Sequence, residues 1–131
     1  MIAVTQLSVL IIDDDRDILA GMVEAIEETG RTARGATSAE DGLALLNAGA
    51  PPCLVLLDLR MPGIGGVAFL KQCRSQLARR SLPVVLMTTV RDRQRAEAEP
   101  LADGVLIKPF ELAELEVFLQ RYCPVEGVAP S

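Results

Sequence analysis

Residues Cys53 to Gly66 read CLVLLDLRMPGIGG, and the rest of the chain falls into place around them. The apolar residues from Cys53 to Leu57, with no polar alternation, describe a strand covered on both faces, as in a parallel sheet between helices. The run ends at Asp58. A carboxylate at the end of a buried strand loses hydration at a cost, so its presence there asks for a cation or a reactant to serve. Pro62, Gly63, Gly65 and Gly66 are turn formers, and helix spacing starts again at Val67, Phe69, Leu70, Cys73 and Leu77. Asp58 is thus expected at the carboxyl end of a central strand, facing a loop crevice.

The same grammar recurs upstream. Leu7 to Ile12 (LSVLII) is a second unbroken apolar run, and it ends in Asp13, Asp14 and Asp15. Helix-spaced Ile18, Leu19, Met22, Val23 and Ile26 follow, with Gly30 as a stop. Arg31 to Ala36 is weakly apolar and suits an edge strand, after which Thr37-Ser38-Ala39-Glu40 reads as a capping box for a helix to about Asn47. The helix after the central strand is expected to reach about Arg80. Pro83 to Met87 opens a fourth strand that ends at Thr88-Thr89, and Gly104 to Ile107 is a short fifth ending in Lys108-Pro109-Phe110. Between them, Val90 to Leu101 is charged and carries Pro100, so it supports a helix only weakly. Leu112, Leu115, Phe118 and Leu119 describe a last amphipathic helix.

Five strands alternating with helices imply parallel pairing through right-handed crossovers, hence an α/β sandwich with helices on both faces. With the weak second and short fifth strands outermost, the order is 2-1-3-4-5, the flavodoxin-like doubly wound sheet, whose ligands bind near the switch between strands one and three. The expected division is a single domain over residues 1–123 and a flexible tail over 124–131.

Composition narrows the function classes. A net charge of −5 without a basic stripe argues against a nucleic-acid footprint. No apolar run approaches membrane-spanning length, and the N-terminus lacks a basic leader segment. Cys53, Cys73 and Cys123 are far apart in sequence and read as small buried hydrophobes rather than a disulfide framework, which suits a reducing, cytoplasmic setting.

Taken singly, the acidic turn, a strand-end threonine and a lysine before a proline are ordinary surface features. Their joint placement is not, because strands one, three, four and five of this sheet end on one rim in carboxylates, a carboxylate, a hydroxyl and an ammonium. Two carboxylates about 5 Å apart repel by roughly 3 kcal/mol at an effective dielectric near 20, so clustered aspartates imply a divalent cation. All-oxygen ligation suits Mg²⁺, which prefers to share its sphere with phosphate oxygens. Phosphoryl transfer then needs an in-line nucleophile, for which Asp58 serves, and donors for the remaining charge, for which Thr88 and Lys108 serve.

The motifs VLIIDDD ending at Asp15, LVLLDLRMPG around Asp58, PVVLMTT ending at Thr89 and IKPF from Ile107 to Phe110 resemble the receiver domain of two-component response regulators. The resemblance covers about Leu7 to Tyr122. It implies that Asp58 accepts a phosphoryl group from the histidine of a kinase or phosphotransfer protein, and that the chain is a signalling switch rather than an enzyme. It further implies Mg²⁺ held by Asp14, Asp58 and the backbone carbonyl of Arg60, with Asp13 acting through water. Thr88 and Lys108 bind the phosphoryl oxygens, Lys108-Pro109 is cis, and output passes through the face made by the fourth helix, fifth strand and fifth helix. The chain departs from the pattern where the family usually has an aromatic three residues before the lysine, since Val105 stands there and its branched side chain is stiff. Gly65 stands where an acidic residue is frequent. Two other readings compete: a receiver-like interaction module with phosphorylation uncoupled from output, and a haloacid-dehalogenase-like phosphatase. The second would need a D-x-D-x-[TV] pattern, whereas Arg16-Asp17 follow the acidic turn.

Overall fold

The computed structural model describes residues 8–125, and the N-terminal residues as well as most of the expected tail lie outside that range. Its elements run β1 (Ser8–Ile12), α1 (Arg16–Glu28), β2 (Thr32–Ala36), α2 (Ala39–Asn47), β3 (Leu54–Asp58), α3 (Gly65–Ser75), β4 (Val84–Thr88), α4 (Arg95–Ala98), β5 (Gly104–Ile107) and α5 (Leu112–Tyr122). The strands are parallel and ordered β2-β1-β3-β4-β5, as the sequence predicts.

Every residue of β3 and β4 is buried, which is why their sequences carry no alternation. Side chains of successive strand residues point to opposite faces, so the same strands feed two cores. Leu10, Ile12, Val55, Leu57, Val84 and Leu86 pack with Phe69, Leu70 and Cys73 of α3 on one face. Val9, Ile11, Leu54, Leu56, Val85 and Met87 pack with Met22 and Ile26 of α1 and with Leu115 and Leu119 of α5 on the other. Edge strand β2 is only partly covered.

Several local expectations are corrected. Ser38, not Thr37, caps α2 by accepting from the Asp41 amide, and Glu40 does not close a reciprocal box. Its carboxylate instead accepts from the Ile64 amide in the loop after β3. The reciprocal box is at α5, between Glu111 and Glu114. The helix expected to reach Arg80 stops at Ser75 and is followed by a 3₁₀ turn at Leu77–Arg79. The weak segment yields a single α-turn, α4, running into a second 3₁₀ turn at Glu99–Leu101 with Pro100 inside it.

The cysteines need the largest correction. Cys53 and Cys123 are joined by a disulfide, with Cα atoms 5.6 Å apart and 70 residues between them in sequence. The start of β3 and the end of α5 meet at one pole of the sheet, a proximity that linear spacing does not reveal. Only Cys73 is the small buried hydrophobe expected, and burial pushes its thiol pKa up. Cysteine usage therefore gives no argument for a reducing compartment. No helix among the described residues is long and apolar enough to cross a membrane.

Candidate functional site

Strand register assembles the site. Ile12 pairs with Leu57, which puts Asp13 and Asp58 side by side past the ends of β1 and β3. Asp58 pairs with Met87 and Thr88 with Ile107, so Thr88 and then Lys108 follow around the same rim. The Lys108 amide donates to the Thr88 carbonyl at 2.7 Å, extending the ladder one residue beyond β5. The sequence-predicted residues Asp13, Asp14, Asp58, Thr88 and Lys108 thus share one end of the sheet.

The acidic turn divides its labour. Asp15 is the N-cap of α1, its Oδ1 accepting from the amides of Asp17 and Ile18 at 3.0 and 3.2 Å. Asp13 is buried, accepts from the Asp15 amide through Oδ1 at 2.9 Å, and presents Oδ2 to Lys108 Nζ at 3.1 Å. Asp14 is exposed at the mouth. Asp13, Asp14 and Asp58 each offer a carboxylate oxygen within 4.8 Å of the others. Three hard oxygen donors at that spacing fit a magnesium-class cation, whose field would offset their mutual repulsion. Arg60 is exposed, and its amide donates to Asp58 Oδ1 at 3.2 Å.

Asp58 is 6 % exposed, and its carboxyl pKa is raised from 3.8 to about 6. Burial is the largest cause. Lys108, with Nζ at 3.7 Å from Oδ2, and the Arg60 amide pull it back down, while Asp13 and Asp14 raise it. The loop beyond Asp58 stays close without covering it. Gly65 has a φ of +77°, open to glycine, and a Cβ on Gly66 would stand 2.8 Å from the Asp58 carbonyl oxygen. A larger residue at 66 would push the start of α3 off the end of β3. The Lys108-Pro109 peptide is cis, as expected.

One residue escapes the sequence reading. Thr88 is buried and its hydroxyl donates to Asp92 Oδ2 at 2.9 Å, while Asp92 Oδ1 accepts from the Gln94 amide at 2.9 Å. The available signal was Thr88-x-x-x-Asp92, a turn's spacing beyond a strand end. It is masked because Asp92 lies between Arg91 and Arg93, in a run that reads as solvated.

Three kinds of comparison agree with this geometry. Residues 9–120 match the family model described as the response regulator receiver domain. The Escherichia coli regulatory protein AtoC is 35% identical over 123 residues, covering 92% of this chain and 26% of AtoC. The chain spans a quarter to a half of the length of the curated relatives it matches, the Haemophilus influenzae regulator QseB being matched over 50% of its length. Among solved structures, the Vibrio cholerae chemotaxis response regulator CheY4 superposes with a TM-score of 0.81 at 28% identity, covering 90% of this chain and 99% of CheY4. The Thermotoga maritima response regulator TrrA, solved with Mg²⁺ and BeF, superposes at a TM-score of 0.78 with 26% identity, over 88% of this chain and 97% of TrrA.

Proposed function

The chain belongs to the response regulator receiver domain family, and from that premise we propose that Asp58 accepts a phosphoryl group from the histidine of a kinase or phosphotransfer protein. The observation that carries the proposal is the rim itself, where the buried Asp58 carboxylate has Lys108 Nζ at 3.7 Å and two further carboxylates within 4.8 Å. At neutral pH a carboxyl titrating near 6 is mostly ionised, so it is a competent nucleophile.

In the transfer, an oxygen of Asp58 attacks phosphorus as the bond to the donor's imidazole nitrogen breaks, and that nitrogen leaves with the electron pair. Lys108 is already in place to pair with a phosphoryl oxygen, because it needs only to exchange its contact with Asp13. The Arg60 amide holds Asp58 Oδ1, which leaves Oδ2, on the Lys108 side, to react. Return to the resting state is attack of water on phosphorus with rupture of its bond to Asp58. Asp13, Asp14, Asp58 and the Arg60 carbonyl are the groups proposed to hold Mg²⁺. When bound, the ion supplies charge neutralisation for the transferring oxygens.

On this reading the protein is a switch and not an enzyme acting on other substrates, and its output is a change at the face formed by α4, β5 and α5. A cytoplasmic location belongs to the proposal, since a kinase draws on nucleoside triphosphate. The phosphatase reading loses its support with the family assignment. Treatment with acetyl phosphate and Mg²⁺ is expected to add one phosphoryl group by intact-mass spectrometry, and Asp58→Asn to remove it. Undiminished labelling in Asp58→Asn would overturn the assignment.

A further inference from the structure

We propose that Asp92 is a positioning residue for the phosphoryl site: it withholds the Thr88 hydroxyl while Asp58 is free and must give it up when a phosphoryl group arrives. The inference rests on the reading of Asp58 given above and deepens it.

A threonine hydroxyl has one hydrogen to donate, and phosphoryl oxygens only accept. That hydrogen is already committed, because Thr88 Oγ1 stands 2.9 Å from Asp92 Oδ2 and a carboxylate has none to give. Thr88 therefore cannot bind a phosphoryl oxygen and Asp92 together. The two acceptors compete for one donor.

The losing acceptor does not sit in open water. Thr88 is 2% exposed and Asp92 8%, so an Asp92 oxygen stripped of its donor is a buried polar atom without a partner unless the backbone moves to hydrate it. Asp92 is poorly placed to move alone. Its Oδ1 holds the Gln94 amide at 2.9 Å, its own amide donates to the Thr89 carbonyl, and its carbonyl accepts from Arg95, the first residue of α4. A shift of Asp92 is thus a shift of the turn from Thr89 to Arg95. The element it leads into is a single α-turn with Ala98 as its buried residue, held otherwise by surface contacts of Lys71 with Glu97 and of Arg95 with Glu99 and the Val90 carbonyl. This route needs no aromatic in β5, and Val105 packs against the core beside it.

The test is a double-mutant cycle at sub-saturating acetyl phosphate with Mg²⁺, reading the phosphorylated fraction by intact mass. Asp92→Ala is expected to raise that fraction roughly two- to tenfold, the equilibrium value of one net hydrogen bond. The gain is expected to vanish in a Thr88→Ala background. Asp92→Asn keeps a neutral acceptor of the same shape, so it should give a smaller gain, and it serves alone if the alanine variant does not fold. No gain in either variant overturns the proposal. An equal gain with and without the Thr88 hydroxyl also overturns it, because Asp92 would then act through its charge. Wild-type protein without Asp58-dependent label overturns the site reading and the latch with it, whereas normal wild-type label with unresponsive Asp92 variants overturns the latch alone.

Discussion

At Asp58, the proposed function and stability pull in opposite directions. Burial favours the protonated form, so the folded protein holds that proton up to about pH 6 whereas an unfolded chain releases it near 3.8. Between those values the folded state binds more protons than the unfolded state, and stability falls as pH rises. Other carboxyls titrate in the same range, so the clean measurement is a difference. In Mg²⁺-free buffer, the urea-unfolding free energy of Asp58→Asn minus that of wild type is expected to grow from pH 4 to pH 7 by about 2 kcal/mol, most of the value of a two-unit shift, since the unfolded carboxyl is already more than half ionised at pH 4. A flat difference would show that Asp58 is well solvated. The proposed acceptor, Asp58, stood out in the sequence because its neighbours are apolar, so a lone carboxylate is conspicuous. Asp92 was not legible, because an acid among arginines looks the same on paper whether it faces water or a buried hydroxyl.

Elements with continuous apolar runs or clean helical spacing were predictable, and those held by side-chain capping or by distant partners were not. β3 and β4 appear where the sequence puts them because burial on both faces leaves one reading of five apolar residues. The length of α3 was overestimated because helix spacing continues to Leu77, which the structure leaves 80% exposed in a 3₁₀ turn. Two glycines separate propensity from packing in the helices. Gly21 lies inside α1, and a Cβ there would meet nothing within 4 Å, so Gly21→Ala is expected to stabilise the protein by about 0.5–1 kcal/mol through helix propensity alone. Gly66 opens α3 against backbone atoms of Asp58 and Leu59 at 2.8 Å, which cannot swing aside as a side chain can. Gly66→Ala is expected to cost about 1–3 kcal/mol and to lower acetyl phosphate labelling of Asp58. Chemical denaturation of the two variants checks both signs, and a cost at Gly21 or none at Gly66 would contradict the packing described.

On the scale of the whole molecule, the parallel sheet has two poles with different duties. The carboxyl ends of the strands carry Asp13, Asp58, Thr88 and Lys108, and the amino ends carry the ties that hold α5 to the sheet. Those ties are the Cys53–Cys123 disulfide and Arg31, a guanidinium only 6% exposed. Arg31 Nε donates to the Cys123 carbonyl at 2.6 Å, one Nη to Thr29 Oγ1 at 2.9 Å and the other to Gln120 Oε1 at 3.4 Å. Desolvation lowers its pKa, and Glu116 on α5 opposes that shift. From sequence, Arg31 was one more residue of a weak edge strand, because two of its three partners, Cys123 and Gln120, lie some ninety positions away. Arg31→Met keeps the apolar stem and removes the donors, leaving the Cys123 carbonyl without the guanidinium. It is expected to cost about 1.5–3 kcal/mol, the range for hydrogen bonds to a charged group. Amide hydrogen exchange should quicken at the last turn of α5, from Leu119 to Cys123. Labelling of Asp58 by acetyl phosphate should stay at the wild-type level, because the site's groups are positioned by strand register at the other pole. Slower labelling together with unchanged exchange in α5 would mean that the two poles are coupled through the sheet rather than independent.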